Sequence, residues 1–327
     1  MKALQLADKG LWKEMKIEEM EQPTPGRGEI LVKVRAVGLN PVDYKTATGG
    51  NPNWTYPHVL GLDVAGEVAG LGEGVSQWEM GDRIVYHGDL TRQGGYAQFA
   101  LVPAHMVSRI PDAIPFEDAA AIPTAGYTAY QCLFRKLPFD LVETVLIHAG
   151  AGGVGGFAVQ MAKQAGKTVI STASAHNHEY VKSLGADHVI DYAQEDFVAR
   201  VLELTDGRGV DAVVDTVSRQ NATDSLDAIA YMGHIVYIAG APDFTKLKAF
   251  SKVVSYHEIA LGAVYQSGDE RAERDLAVMG DEMLAMMEAG KLSAMLQEVV
   301  DLNEVPQALT RLSERHVKGK IVARVAH

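Results

Sequence analysis

The chain has 327 residues, 47% apolar and 22% charged, with 42 acidic against 30 basic side chains and a formal net charge of −12. That length exceeds what one ordinary core serves and predicts two domains, while the acidic excess and the scattered Lys and Arg exclude nucleic acid and anionic membrane surfaces as partners. No uncharged apolar run reaches the ~18 residues of a bilayer span, and "MKALQLADKGLWKEM" lacks the basic and apolar blocks of a signal peptide, so the expectation is a cytoplasmic protein.

Residues 1 to about 121 show short alternating runs, such as "EILVKVRAVGL" and "DRIVYHG", separated by Gly and Pro, which predicts a β-rich region. The sole cysteine, Cys132, stands in the apolar, helical-looking "AGYTAYQCLFRKL" and reads as a buried small hydrophobe. From residue 144 the strand candidates "TVLIHAG", "TVISTAS", "DHVIDY", "VDAVVDTVS" and "HIVYIAG" alternate with helical stretches. Uninterrupted apolar strands separated by helices predict a parallel sheet covered on both faces. The chain then returns to mixed character, with a helix near 304 to 316 and a last strand in "KGKIVARV".

Between the first two apolar strands stands Gly150-Ala-Gly152-Gly153-Val154-Gly155. A G-x-G-x-x-G that follows a buried strand and opens a helix fits the dinucleotide-binding turn. Gly150 would allow the tight turn, Gly152 would let backbone approach a pyrophosphate, and Gly155 would let helix and strand lie close. In the helix, Val154, Phe157, Ala158, Met161, Ala162 and Ala165 follow 3.6-residue spacing; Gln160, Lys163, Gln164 and Lys167 fall elsewhere, and Gly166 is placed to stop it.

The second strand ends "STAS" and carries no acid until Glu179, whereas an NAD site uses a carboxylate there to hold the ribose hydroxyls. A carboxylate about 4 Å from a phosphate charge would cost ~4 kcal/mol at an effective dielectric near 20, so its absence admits NADPH. Ser174, with His176 or His178, supplies donors for a 2′-phosphate; the nearest cation is Lys182.

The stretches "GLNPVDYKTATGG", "YPHVLGLDVAGEVAGLGEGV", "GDRIVYHG", "GGYAQFALVPA", "AAAIPTAGYTAY", "IHAGAGGVGGFAVQMAKQAG", "LGADHVIDY" and "GKIVARV" occur in order along nearly the whole chain. In them the sequence resembles the medium-chain dehydrogenase/reductase superfamily, in its zinc-free quinone oxidoreductase branch. The resemblance implies an α/β fold: a Rossmann doubly wound parallel sheet domain (122–264) inserted in a GroES-like β-rich domain (1–121 plus 265–327), with the active site in the cleft. It also implies a homodimer formed through edge strands of the nucleotide domain, with "EIALGAVYQS", 258 to 267, as candidate.

Zinc-dependent relatives carry Cys where this chain has Asn40 and His where it has Leu62; one cysteine and scattered histidines supply no set of three or four converging ligands, so no metal is expected. Without a metal, the accessible chemistry is hydride delivery to an electron-poor acceptor, a quinone or an α,β-unsaturated carbonyl. Carried over position by position, the resemblance implies catalytic roles for Asn40, Asp43, Lys45 and Thr128. Tyr192, Ser218, Ala239, Gly240 and Arg315 fall where relatives contact the cofactor.

Three of these have an ordinary alternative: a turn residue before Pro41 for Asn40, a solvated lysine for Lys45, a back-bonded helical threonine for Thr128. Bacterial relatives place tyrosines at positions matching 45 to 51, where this chain has Lys45 and Asn51. That departure favours an enone or alkenal over a quinone, and the displaced aromatics Trp54 and Tyr56 form either a wall for a flat substrate or plain loop packing. Two other readings compete, a zinc-type alcohol dehydrogenase and a non-catalytic NADPH-binding sensor.

Overall fold

The computed structural model describes residues 1–315 and 317–327 and divides into two compact units, Met1–Tyr127 with Leu261–His327, and Thr128–Ala260. The first crossing falls inside a continuous helical run, where Pro123–Tyr127 leads into Thr128–Tyr130. No break in local structure marks it, and the sequence-based boundary at 121/122 precedes it.

The first unit is built on a seven-stranded sheet whose central member is Glu29–Gly38. Its sequence, EILVKVRAVG, is rich in β-branched residues, and Ile30, Val32, Val34 and Val37 are all buried. Antiparallel neighbours are Asp63–Leu71, Phe99–Pro103 and Lys320–Arg324. The last of these pairs Val322 with Gly38 and brings the C-terminal strand beside the turn that follows Gly38. Arg83–His87 continues the sheet with His87 opposite Asp63. This register sets Asn40, Asp63, His87 and Lys320 around one end of the sheet.

The second unit carries six parallel strands in the order His188–Asp191, Thr168–Ala173, Thr144–Ile147, Val210–Asp215, Ile229–Tyr237, Ser255–Glu258. The chain runs outward from Thr144–Ile147 and then returns to its other side, so the strand order switches between Thr144–Ile147 and Val210–Asp215. Open parallel sheets bind ligands at the carboxyl ends of strands beside such a switch. Leu146, Ile170, Val213 and Ile235 form part of one buried apolar cluster against the helices.

Helix Gly153–Gln164 follows the glycine turn and stops at Gly166, which has φ +76°. Gly166 N–H donates to Lys163 O and Lys167 N–H to Ala162 O, the paired bonds of a glycine-capped helix end. Two assignments on its faces need correction. Gln160 is buried and donates to Gly156 O, while Ala165 is exposed. The expected edge strand at 258–267 is also displaced: Ser255–Glu258 is the edge, and Leu261–Ala263 and Val264–Ser267 are helical turns.

Candidate functional site

In the second unit the left-handed residue of the turn is Ala149, with φ 55°, and not Gly150. Gly150 is required for space, because a Cβ there would lie 2.2 Å from Ser171 Oγ. Ser171 Oγ in turn donates to Ile147 O, and Ala149 N–H to Thr172 Oγ1. At Gly155 a Cβ would meet Ala149 O at 2.3 Å, so helix and turn touch through bare backbone. At Gly152 the only neighbour of a Cβ is Ala149 O, at 3.4 Å, and the turn is open there. Gly153, Val154 and Gly155 begin the helix, where first-turn N–H groups have no partner in its ladder and the dipole is positive. The arrangement is a cradle for an anion.

His148 supports that turn from below. Its Nδ1 is 3.1 Å from Thr172 Oγ1 and its Nε2 2.9 Å from Ser225 Oγ, and complete burial lowers its pKa to about 3, so the imidazole is neutral. On the next strand, buried Asp215 accepts from the N–H groups of Val217 and Ser218, and Ser218 caps helix Arg219–Ser225 by accepting from Asn221 N–H.

Ser174 follows the strand Thr168–Ala173, half-buried, and its hydroxyl accepts from Asn177 Nδ2 at 3.2 Å and lies 3.4 Å from His176 Nε2. His178 Nε2 is 3.3 Å from Ala173 O. Four polar, uncharged or weakly basic side chains thus gather where a ribose-binding acid would stand. Tyr192 is exposed one residue beyond strand His188–Asp191, Ala239 is exposed and Gly240 half-buried with φ +145°, and Thr128 is buried at 5% exposure.

In the first unit Asn40 and Asp43 are buried at the start of helix Pro41–Gly49, while Lys45 on the same helix is exposed. The Asn40 amide is fully engaged within the chain: Nδ2 donates to Asp63 Oδ2 at 2.7 Å and Oδ1 accepts from Lys320 Nζ at 2.6 Å. Asp63 Oδ1 accepts from Thr124 N–H and Oγ1, and Lys320 Nζ lies 3.7 Å from Asp63 Oδ2. Asp43 Oδ2 accepts from Asn40 N–H and from Tyr96 Oη. Burial outweighs those bonds and raises its pKa to about 7. Asp63, Tyr96 and Lys320 were not singled out from the sequence.

Trp54 is turned inward, its Nε1 donating to Leu90 O at 2.6 Å and its ring stacked on His58 at 4.3 Å. It is loop packing and not an exposed wall, since the indole N–H and both its surroundings are used by the fold. Tyr56 is half-buried. Arg315 is exposed at φ 61°, at the end of helix Val305–Ser313. Among the described residues, no three His, Cys, Asp or Glu side chains converge as metal ligands, and Cys132 is buried and free.

Residues 26–112 match the family described as alcohol dehydrogenase GroES-like domain, and residues 153–279 the family described as zinc-binding dehydrogenase. The chain is 33% identical over 328 residues to a quinone oxidoreductase of Pseudomonas aeruginosa, a match that spans 98% of both chains. It superposes on the quinone oxidoreductase from Coxiella burnetii with TM-score 0.84 and 32% identity, covering 100% of this chain and 99% of that one. A mycobacterial protein solved in complex with NADPH gives TM-score 0.88 at 30% identity, over 99% of this chain and 100% of that one.

Proposed function

The chain belongs to the medium-chain dehydrogenase/reductase superfamily, in its quinone oxidoreductase branch, and from that premise we propose an NADPH-dependent, metal-independent reductase of quinones and α,β-unsaturated carbonyls. Its fold, a Rossmann sheet with a GroES-like β-rich domain, and its standing as an oxidoreductase are common ground for every reading within that branch.

The observation that carries the proposal is the ammonium of Lys320 seated 2.6 Å from Asn40 Oδ1. Asn40 and Leu62 fill the positions where metal-dependent relatives carry ligands. A second cation beside that ammonium would be repelled, and neither a leucine side chain nor an amide already bonded at both ends is a ligand. The donor set therefore does not fit zinc. With no Lewis acid to polarise an alcohol oxygen, the acceptor must already be electron-poor.

The residues do fit a dinucleotide. The open backbone at Gly152 and the first-turn amides of Gly153, Val154 and Gly155 suit a pyrophosphate. Ser174 and His178, with Asn177 beside them, would hold a 2′-phosphate by hydrogen bonds, and the absence of a carboxylate on that strand end leaves no charge to repel it. When bound, the carrier supplies the hydride. Thr128, Tyr192, Ser218, Ala239 and Gly240, all of the second unit, lie at helix and strand ends along its proposed path. The exposed side chains of Phe250 and Val253 near the edge strand Ser255–Glu258 support a homodimer.

The test is loss of NADPH absorbance with a benzoquinone, a naphthoquinone, an enone, an alkenal and an aldehyde, repeated with NADH. Consumption with quinone or enone, faster with NADPH, is expected. A protein that binds NADPH but consumes none of these acceptors is a sensor and not a reductase.

A further inference from the structure

We propose that His148 is a positioning residue of the carrier site, joining through one ordered chain of protons the glycine turn on one side of the strand switch to residues 216–218 on the other. The proposal rests on the carrier reading above and adds to it a buried group that acts through its neighbours. All of its members belong to the second unit.

The direction of every proton in the chain follows from its ends. His148, Thr172 and Ser225 are all buried. The Ser225 hydroxyl donates its single proton to Asn221 O at 2.7 Å, one helical turn back. Toward His148 Nε2, 2.9 Å away, it can only accept, so the imidazole proton lies on Nε2. Burial keeps the ring neutral, with one N–H, and Nδ1 is therefore bare and accepts from Thr172 Oγ1–H at 3.1 Å. Thr172 Oγ1 in turn accepts from Ala149 N–H at 3.2 Å. The Phe197 ring packs against the imidazole at 4.9 Å and 85° and offers it no alternative partner.

Each end of the chain holds a part of the site. At one end Ala149 stands at φ 55°, a left-handed conformation that a residue with a Cβ keeps only where its neighbours enforce it. Ala149 O then accepts from Gly152 N–H at 2.9 Å and lies where Gly155 must be bare backbone. The aim of the turn and the start of helix Gly153–Gln164 both depend on that one residue.

At the other end Asn221 Nδ2 donates to Asp215, whose carboxyl group accepts from the N–H groups of Val217 and Ser218. Thr216 Oγ1 adds a direct tether, donating to His148 O at 3.1 Å. A dinucleotide lies across the carboxyl ends of strands on both sides of such a switch. Its two halves would therefore meet segments that His148 keeps in one register. A histidine that only filled the core would be replaceable by an apolar residue at a cost in stability alone; this one spends both ring nitrogens on groups that shape the site.

The experiment compares wild type with His148→Leu by thermal midpoint and by calorimetric Kd for NADPH, measured well below that midpoint. A Kd weaker by roughly tenfold is expected, the scale of one buried hydrogen bond. Thr172→Val and Ser225→Ala remove the two ends of the chain. Their losses of affinity should combine non-additively while His148 is present and additively in the His148→Leu background. Long-range proton–nitrogen NMR of wild type should show Nε2 protonated and Nδ1 bare from about pH 5 to pH 8, the range in which histidines ordinarily titrate.

A lowered thermal midpoint with unchanged Kd makes His148 a packing residue and overturns the proposal, while the reductase reading stands. A ring protonated on Nδ1 does the same. A wild type that binds no nicotinamide carrier overturns both. Ser225→Ala, which removes one hydroxyl and leaves the ring in place, carries the same Kd test should His148→Leu not fold.

Discussion

Lys320 holds Asn40 across 280 positions of sequence, its Nζ 2.6 Å from Asn40 Oδ1, and the same ammonium lies 3.7 Å from the fully buried Asp63. Removing one member of a buried ion pair strands the other charge, at a cost of ~3–5 kcal/mol. Lys320→Met should therefore lower unfolding stability by about that much, read by denaturant titration. The double variant with Asp63→Asn should recover a large part of the loss, because the stranded carboxylate is gone. Additive losses in the two single variants would show that the pair is not coupled.

Asp43 gives the first unit a pH dependence opposite to that of ordinary carboxylates. Its folded pKa is raised from 3.8 to about 7, chiefly by burial. The folded protein therefore binds a proton that the unfolded chain has released. This contribution is fully present below the unfolded value and is lost as pH rises through the folded one. The size is on the order of 4 kcal/mol, at 1.36 kcal/mol per pH unit. Asp43→Asn keeps an oxygen to accept from Asn40 N–H and Tyr96 Oη but cannot ionise. The thermal midpoint of wild type relative to this variant should fall between about pH 4 and pH 7.5 and stay level above that; parallel curves would contradict the assignment.

The second unit was largely legible in the sequence because its signals are local. Apolar runs such as "VLI" and "VISTA" announce buried parallel strands, and G-x-G-x-x-G followed by a 3.6-residue pattern announces turn and helix. What failed in that unit and just past its end also has local causes. Gln160 is buried because its amide can bond Gly156 O one turn back, and 258–267 reads as apolar strand yet folds into helical turns that carry Tyr265 to His87.

The first unit hid its site because the partners are joined only by sheet register. Nothing within a few residues of Asn40 names Lys320 as its partner; the antiparallel pairing of Val322 with Gly38 does. A faint signal existed in the lone acid of "GLDVAG" and the lone cation of "GKIVA", each in an apolar strand, where unpaired charges are rarely buried.

Gly152 and Gly155 separate binding from folding. Ala at Gly155 would set a Cβ 2.3 Å from the backbone O of Ala149, so Gly155→Ala should disturb the turn and lower the thermal midpoint. Gly152 has φ −83° and only a 3.4 Å neighbour, so Gly152→Ala should fold normally. It should nonetheless weaken NADPH by roughly tenfold or more, about 1.4 kcal/mol, because its methyl group would stand where the proposal sets the pyrophosphate. Calorimetry and thermal melts on both variants check the contrast, and unchanged affinity in Gly152→Ala would remove the pyrophosphate from this turn.

The proposed place of Ser174 beside the 2′-phosphate makes it the test of carrier choice. Its hydroxyl accepts from Asn177 Nδ2 and neighbours His176, so an acid at this position would face the same donors and stay ionised. Ser174→Asp would place a carboxylate near the 2′-phosphate of NADPH, where the repulsion is ~4 kcal/mol at 4 Å and an effective dielectric near 20, yet near the ribose hydroxyls of NADH it would accept hydrogen bonds. The exposed setting and salt screen part of that repulsion, so a drop of roughly 100-fold in kcat/KM for NADPH is expected, with NADH unchanged or improved. The ratio of the two kcat/KM values, measured at low and high salt, is the readout. A ratio insensitive to the substitution would mean that the strand end at Ser174 does not meet the adenosine ribose, and the case for NADPH would fail with it.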